Sequence, residues 1–165
     1  MIITSNRNKR YVKYLDSGEE FDKHLIYTDL SSRGSINKPK IAWWGSPVDA
    51  EYGWKEWCEN NEYEFNFNNP IYWTMKEGSK IYTIDFIDTE SDPDNQLLQY
   101  IVEDEFGGCY LDYQRMKDDG IDAVELYNAA IGHLFISRIE TMFNSWDCES
   151  IVVLNPDVIE FELHK

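Results

Sequence analysis

The chain is poor in the residues that covalent crosslinks and metal sites require. It has three cysteines, Cys58, Cys109 and Cys148, and none of them forms a Cys-x-x-Cys pair. An odd count without that spacing argues against a disulfide framework and against a zinc site. The three histidines also lack a partner at helix or turn spacing. We therefore predict no metal, and neither a Ser/His/Asp triad nor a histidine-based metal site is indicated.

Long apolar runs and glycine-rich phosphate loops are absent as well. No stretch approaches the roughly 18 continuous apolar residues that a membrane-spanning helix needs. Residues 1–7 lack the apolar centre of a signal peptide. Together with the few cysteines, these features predict a protein of the reducing cytoplasm.

Basic residues are scarce, at 15 against 31 acidic residues, so the formal net charge is -16. Such a charge repels phosphate backbones and anionic membranes, so direct binding to nucleic acid or to a membrane is not expected. The expected partner is instead a basic protein, for example a nucleic-acid-binding protein of a host. An acidity that only maintains solubility is the alternative.

Apolar and aromatic residues are plentiful. They make up 42% and 15% of the 165 residues, which is enough for a substantial core in a chain of single-domain length. Strand-like and helix-like patterns are mixed without regular βαβ alternation. We therefore predict a single α+β domain over residues 1–165.

Two kinds of pattern predict the secondary structure. Runs of β-branched and aromatic residues predict strands, and apolar residues three or four apart predict helices. The predicted strands are 11–15, 25–28, 41–44, 71–75, 80–87, 121–126, 151–154 and 158–163. The predicted helices are 48–60, 93–105 and 129–143; residues 29–40 are predicted to form a loop, and 111–117 a short helix or loop.

Glu149 and Ser150 stand directly before an apolar run, residues 151–154, that is closed by Asn155-Pro156-Asp157. A glutamate at the start of a buried strand can be held at one point beside a pocket, where it stabilises developing positive charge. A solvated carboxylate at a strand start is the other interpretation. Residues 149–159 resemble the catalytic-glutamate strand of ADP-ribosyltransferases, especially the poly-ADP-ribose polymerase and diphtheria-toxin-like branch.

Two further segments add to this resemblance. Residues 38–47, followed by 53–58, are similar to a segment of small uncharacterised bacterial and phage proteins, which also carry a stretch like Trp146-Asp147-Cys148. Their strand, ending in a serine, resembles the middle strand of the transferase NAD pocket. The same proteins also carry a stretch similar to residues 120–125, which lies between the segment 38–58 and the Trp146-Asp147-Cys148 stretch.

The resemblance implies an ADP-ribosyltransferase-like fold, with split mixed or antiparallel β-sheets and flanking helices. It implies transfer of ADP-ribose from NAD, as a substrate and without a metal, to a protein target. Glu149 would be the catalytic residue, stabilising an oxocarbenium-like transition state and binding the ribose 2′-hydroxyl. The expected NAD contacts are Tyr27, Thr28, Trp43, Trp44, Ser46 and Tyr82.

The chain departs from that pattern where the family has an arginine or histidine on an early strand to hold NAD. Residues 25–28 contain neither, although His24 precedes them and Arg33 follows. In another register Trp44 occupies the place of the histidine. Binding of a different nucleotide, another clamp, or lost catalysis therefore stay open. In the last case the chain would be a catalytically inactive acidic binding protein, such as a phage-type inhibitor that docks on a basic nucleic-acid-binding host partner.

Overall fold

In the described part of the chain, eight strands spread along the sequence form one mixed sheet. The structure is a computed structural model, and it describes residues 2–4, 9–33, 38–85, 97–103, 108–127, 143 and 146–162. Two pairs of short strands form separate small sheets. The strands are β1 Ile2–Thr4, β2 Arg10–Tyr14, β3 Asp29–Arg33, β4 Pro39–Ile41, β5 Trp43–Pro47, β6 Pro70–Met75, β7 Lys80–Asp85, β8 Ile101–Glu103, β9 Cys109–Leu111, β10 Ala123–Tyr127, β11 Ser150–Val153 and β12 Ile159–Phe161. The helices are α1 Trp54–Asn60 and α2 Tyr113–Asp118. The predicted α+β class is confirmed.

The large sheet runs in the order β1-β7-β10-β11-β5-β2-β6-β12. β7 and β10 are parallel, and the other neighbours are antiparallel. β5 joins the two halves, because residues 43–45 pair with β11 and residues 46–47 pair with β2. A Cβ atom on Gly45 would lie 2.9 Å from the carbonyl oxygen of Val12 and 3.1 Å from the Trp73 ring. Glycine therefore allows the two strands to approach at this junction.

Two apolar cores lie against opposite faces of the central strands, because side chains alternate along a strand. On β11, Val152 belongs to one core, whereas Ile151 and Val153 belong to the other. The first, here the α2 core, includes Tyr113 and Met116 of α2. The second, here the β6 core, consists of Tyr11, Trp43, Trp73, Met75, Ile81, Ala123, Ile151 and Val153.

The strands with continuous runs of β-branched and aromatic residues are where the sequence predicts them. β6, β7, β10 and β11 match the predicted strands within a few residues, over the part of each that the structure describes. The predicted strand at 25–28 is wrong. Residues 23–25 form a 3₁₀ turn, because the Asp22 carboxylate accepts a hydrogen bond from the His24 N–H at 2.8 Å. The strand begins only at Asp29, inside the predicted loop, and β3 pairs there with β4.

The helix predicted at 48–60 begins later, at Trp54. The N–H of Ala50 donates to the carbonyl of Pro47 at 3.2 Å, which makes a turn. Gly53 is extended and caps α1, and its N–H donates to the Glu56 carboxylate at 3.1 Å. The cap, more than the apolar spacing, therefore fixes the start of α1.

The helix predicted at 93–105 is wrong where residues 97–103 are described. Residues 98–100 form a 3₁₀ turn, and β8 follows and pairs with β9. In the segment at 111–117, α2 begins at Tyr113, because Asp112 accepts a hydrogen bond from the Arg115 N–H at 2.9 Å. The helix predicted at 129–143 lies outside the described residues, apart from Phe143.

Candidate functional site

A cavity of about 240 Å³ lies where β2, β5 and α1 meet the residues before β11. Its walls combine aromatic rings with a few hydroxyl, thiol and charged groups. The lining residues from the first half of the chain are Val12, Lys13, Tyr14, Lys38, Trp44, Gly45, Ser46, Trp54 and Phe65. Those from the second half are Trp146, Asp147, Cys148 and Ser150.

The pairing of β5 with β11 brings these two parts of the chain together. Trp44 is the register partner of Val152, and Gly45 is the partner of Ile151. Because the strands are antiparallel, the residues that follow Gly45 run alongside the residues that precede Ile151. Ser46 therefore lies beside the segment 146–150.

A tight turn makes three consecutive residues, Trp146, Asp147 and Cys148, face the cavity. Asp147 has a φ of 44°, a left-handed value that aspartate adopts more readily than most residues. The N–H of Cys148 donates to the carbonyl of Trp146 across this turn. The Ser150 hydroxyl then donates to the carbonyl of Cys148 at 2.9 Å. The bond from Ser150 ties the turn to the start of β11.

Ser46 holds the first turn of α1 against β5. Its Oγ accepts a hydrogen bond from the N–H of Trp54 at 3.0 Å. A Cβ atom on Gly53 would lie 3.3 Å from the Cβ of Ser46, so glycine permits the close approach. The contact keeps the Trp54 side chain at the cavity, where Trp44 and Trp146 pack edge to face with their ring centroids 4.8 Å apart.

Lys38 and Asp147 bring opposite charges to the cavity. Lys38 Nζ lies 3.6 Å from Asp147 Oδ2 and 5.4 Å from the centroid of the Trp44 ring. Both side chains are partly exposed. Lys13 differs, because its Nζ lies 4.8 Å over the ring of Trp43, which belongs to the β6 core. Burial lowers the pKa of Lys13, and Glu19 and Asp16 oppose that shift.

The Cys148 thiol at the cavity is not an activated nucleophile. Burial raises its pKa to about 12, and a hydrogen bond with Ser46 offsets only part of the effect. The thiol is therefore protonated at neutral pH. A reactive cysteine needs the opposite shift, because the thiolate is the attacking species.

Glu149 lies between two lining residues, Cys148 and Ser150, but is not itself one of them. Its side chain is buried, with 7% of the residue exposed. Its N–H donates to the carbonyl of Tyr52 at 2.9 Å, which fixes the backbone to the turn before α1. The solvated carboxylate considered from the sequence does not describe this buried position.

Among the seven predicted site residues, Trp44 and Ser46 line the cavity. Trp43 packs into the β6 core on the opposite side of β5, and Tyr82 lies in the α2 core. Tyr27 is 61% exposed, and the Thr28 hydroxyl donates to the carbonyl of Leu154 at 3.2 Å. The predicted residues thus fall in several environments, and only part of the set lies at the cavity.

Sequence reasoning missed several lining residues. Tyr14 and Phe65 carry no motif, and the three-residue spacing of Trp54 and Trp57 is typical of plain packing on one helix face. Lys38 stands at the start of the segment 38–47 quoted for the resemblance, so its position was a usable signal. Asp147 belongs to the Trp146-Asp147-Cys148 stretch, which is also part of the resemblance, so it too had a signal in the sequence.

Glu125 forms a second buried polar site, away from the cavity. It is fully buried on β10, and Lys9 Nζ lies 2.8 Å from its Oε1. Lys9 also lies 4.0 Å over the ring of Tyr127. Burial raises the pKa of Glu125, and the charge of Lys9 opposes that shift. The sequence signal was a glutamate inside an otherwise apolar strand.

Three results concern the wider classification. Among the described residues there is no group of three or more His, Cys, Asp or Glu side chains that could hold a metal ion. No helix in the same part of the chain is long and apolar enough to cross a membrane. Comparison of the chain with family models, curated proteins and solved structures gives no match.

Proposed function

We propose that the chain binds NAD, with the nicotinamide in the cavity, and transfers ADP-ribose to a protein. The observation that supports this most is the pairing of β5 with β11. It joins Trp44 and Ser46 to the segment 146–150, which contains Glu149. Both parts were selected from the sequence for the same chemistry, and Cys148 and Ser150, the two neighbours of Glu149, line the cavity beside Trp44 and Ser46.

The size and walls of the cavity fit one end of such a ligand. Its volume of about 240 Å³ is below the range of about 300–1,000 Å³ that is typical of sites for drug-sized molecules. It therefore suits a single ring and part of a sugar, with the rest of the dinucleotide outside. The rings of Trp44 and Trp146 offer aromatic surface to the nicotinamide. Lys38 supplies a cation for the pyrophosphate.

In the proposed reaction, the bond between the nicotinamide nitrogen and ribose C1′ breaks, and nicotinamide leaves with the electron pair. Positive charge then develops on the ribose. In this proposal the Glu149 carboxylate stabilises that charge and accepts a hydrogen bond from the 2′-hydroxyl. A nucleophilic side chain of the protein target forms a bond to C1′ and releases its proton to water. The bond from the Glu149 N–H to Tyr52 supports a fixed position for the carboxylate.

The test is transfer of label from NAD to proteins of a cell lysate by the purified chain and by a Glu149→Gln variant. Removing a fixed group that stabilises the transition state should slow transfer by about 10²–10³-fold, with NAD affinity changed only a few-fold. A matched control is Glu160→Gln, at an exposed position of β12. Transfer by Glu149→Gln at the rate of the control would rule out the proposed role of this residue.

A second candidate function is non-enzymatic binding to a basic protein. The excess of acidic residues, 31 against 15, favours it. In that case NAD would not bind, measured by calorimetry with the purified chain. A salt-sensitive complex with a basic protein would form equally well with Glu149→Gln. Binding of NAD at the cavity would favour the enzyme instead.

A further inference from the structure

Five aromatic side chains form a continuous, partly exposed patch on α1 and the loop after it. The Trp54 and Trp57 rings are stacked, with centroids 5.0 Å apart and planes 9° apart. Tyr63 is 53% exposed, and its ring lies 5.9 Å from that of Trp57. Phe65 lies 5.9 Å from Trp54 and 5.3 Å from Phe67. We call these five residues the aromatic patch: Trp54, Trp57, Tyr63, Phe65 and Phe67. The loop residues add ring surface to that of the two tryptophans on α1.

The backbone after α1 turns Tyr63 onto the helix. The N–H of Asn61 donates to the carbonyl of Trp57 at 3.0 Å, and the N–H of Tyr63 donates to that of Cys58 at 2.9 Å. Glu62 between them has a φ of 53°, in the left-handed region. The chain thus reverses within two residues. Tyr63 is set in place by backbone bonds, although half of its surface is open.

Carboxylates surround these rings. Residues 51–67 contain five glutamates and one lysine, and Glu51, Glu59, Glu62 and Glu64 are exposed. Lys55 lies 4.0 Å from Glu59, so one cation faces a much larger negative charge. Exposed aromatic faces attract cations, and guanidinium groups stack on them while pairing with carboxylates. The charge of the patch therefore complements a basic surface.

We propose that the aromatic patch docks an arginine- and lysine-rich segment of the protein that receives ADP-ribose. The inference rests on the proposed function for the identity of this partner. Trp54 and Phe65 belong to the patch and also line the cavity. A segment bound on Tyr63 and Trp57 therefore lies next to the cavity, which suits a target whose side chain must reach the ribose.

The test is binding of a short fluorescent peptide of alternating arginine and glycine to the full chain, followed by anisotropy. Tyr63→Ala should weaken binding about two- to fivefold, as expected for loss of an exposed cation–π contact. The triple variant Glu59→Gln, Glu62→Gln, Glu64→Gln should weaken it about tenfold. Raising NaCl to about 0.3 M should weaken binding to the unchanged chain. A glutamate-rich peptide should not bind.

A second triple variant keeps the test specific to the patch. Glu77→Gln, Glu103→Gln, Glu160→Gln changes the net charge equally, at exposed positions outside residues 51–67. It should weaken binding less than about twofold, because it leaves the carboxylates of residues 51–67 in place. Equal effects of the two triple variants would overturn the proposal, as would an unchanged affinity of Tyr63→Ala. Failure of the unchanged chain to bind the arginine peptide at low salt would overturn it as well.

Two further measurements separate this inference from the proposed function and from self-association. Tyr63→Ala should lose peptide affinity but keep NAD affinity, whereas Trp44→Leu should do the reverse. If the unchanged chain binds the peptide but does not bind NAD, the proposed enzyme activity is ruled out and the docking surface is supported. Sedimentation compares the unchanged chain with Tyr63→Ala. A dimer that dissociates on this substitution would show that a second copy covers the patch, which would contradict the proposal.

Discussion

Two buried polar regions in the described part of the chain lie on opposite faces of the same central strands, and they are built differently. At the cavity, Ser46, Cys148 and Ser150 surround an open space that aromatic rings enclose. On the other face, Glu125 contacts Lys9 at 2.8 Å in closed packing. Polar groups around a cavity can exchange partners with a ligand, whereas a closed ion pair mainly avoids the cost of a lone buried charge.

One residue of displacement along a strand separates the cavity wall from the β6 core. Trp43 and Trp44 are neighbours on β5, yet Trp43 packs in the β6 core and Trp44 lines the cavity. Glu125 likewise alternates with Val124 and Leu126, which belong to the α2 core. The division predicts that substitutions in the β6 core change unfolding and that substitutions at the cavity change ligand affinity.

The largest expected effect is on stability, from Trp73→Ala in the β6 core. Trp73 is fully buried and stacks on Tyr11 with ring centroids 4.7 Å apart. Its removal should lower the free energy of unfolding by about 3–5 kcal/mol, measured by urea denaturation. Trp57→Ala, at a partly exposed position of α1, should cost less than half as much. Similar losses for the two variants would contradict the closed packing assigned to the β6 core.

A smaller effect should depend on pH through Glu125. Burial raises the pKa of this carboxyl above its ordinary value of 4.5, and Lys9 opposes the shift. The folded state therefore holds the proton more tightly than the unfolded chain does. The contribution of Glu125 to the free energy of unfolding is fully present below the pKa that this carboxyl has in the unfolded chain. The contribution is lost as the pH rises through the pKa that it has in the folded state. The slope is at most about 1.4 kcal/mol per pH unit.

Glu125→Gln cannot ionise, so it should escape that loss. The difference in free energy of unfolding between Glu125→Gln and the unchanged chain should grow as the pH rises from about 4.5. Lys9→Met is the control, because it removes the charge that lowers the pKa and should extend the loss to higher pH. A difference that stays flat from acid to neutral pH would show that Glu125 ionises as it does in the unfolded chain.

How far the sequence predicts the fold depends on whether local or distant contacts decide each element. β6, β7, β10 and β11 follow from runs of β-branched and aromatic residues, and such runs suit central strands because both of their faces are covered. The segment 25–28 has strand-forming residues, but the cap from Asp22 makes a turn just before it. Residues 101–103 become a strand because β9 lies beside them. A pairing of this kind is not visible in a local pattern.

The candidate site shows the same limit. Trp44 and Ser46 could be predicted because they stand together in one strand with a recognisable pattern. Tyr14 and Phe65 reach the cavity only through the pairing of β2 and the return of the loop after α1. The burial of Glu125 beside Lys9 likewise depends on contacts between distant parts of the chain. The catalytic role of Glu149 stays a prediction.

The smallest expected effect is the change in NAD affinity, for which the adjacent tryptophans can be compared directly. Trp44→Leu removes a ring from the cavity wall, so NAD affinity should fall about two- to tenfold, the range expected for one aromatic contact. Trp43→Leu removes a ring from the opposite face, where it packs edge to face against Phe161 at 5.5 Å. It should lower the free energy of unfolding by about 1–3 kcal/mol, less than a change to alanine because leucine fills part of the space, and change NAD affinity less than about twofold.

Both variants are measured by calorimetry with NAD, which gives the affinity, and by urea denaturation, which gives the free energy of unfolding. The two measurements separate a loss of NAD affinity from general damage to the fold. If the cavity binds NAD, affinity depends on Trp44 more than on Trp43, even though Trp43 is the more deeply buried residue. Equal losses of affinity would mean that both act only through the stability of β5. If Trp43→Leu lowers NAD affinity and Trp44→Leu does not, NAD binds on the face of the sheet that carries the β6 core, where Glu125 lies.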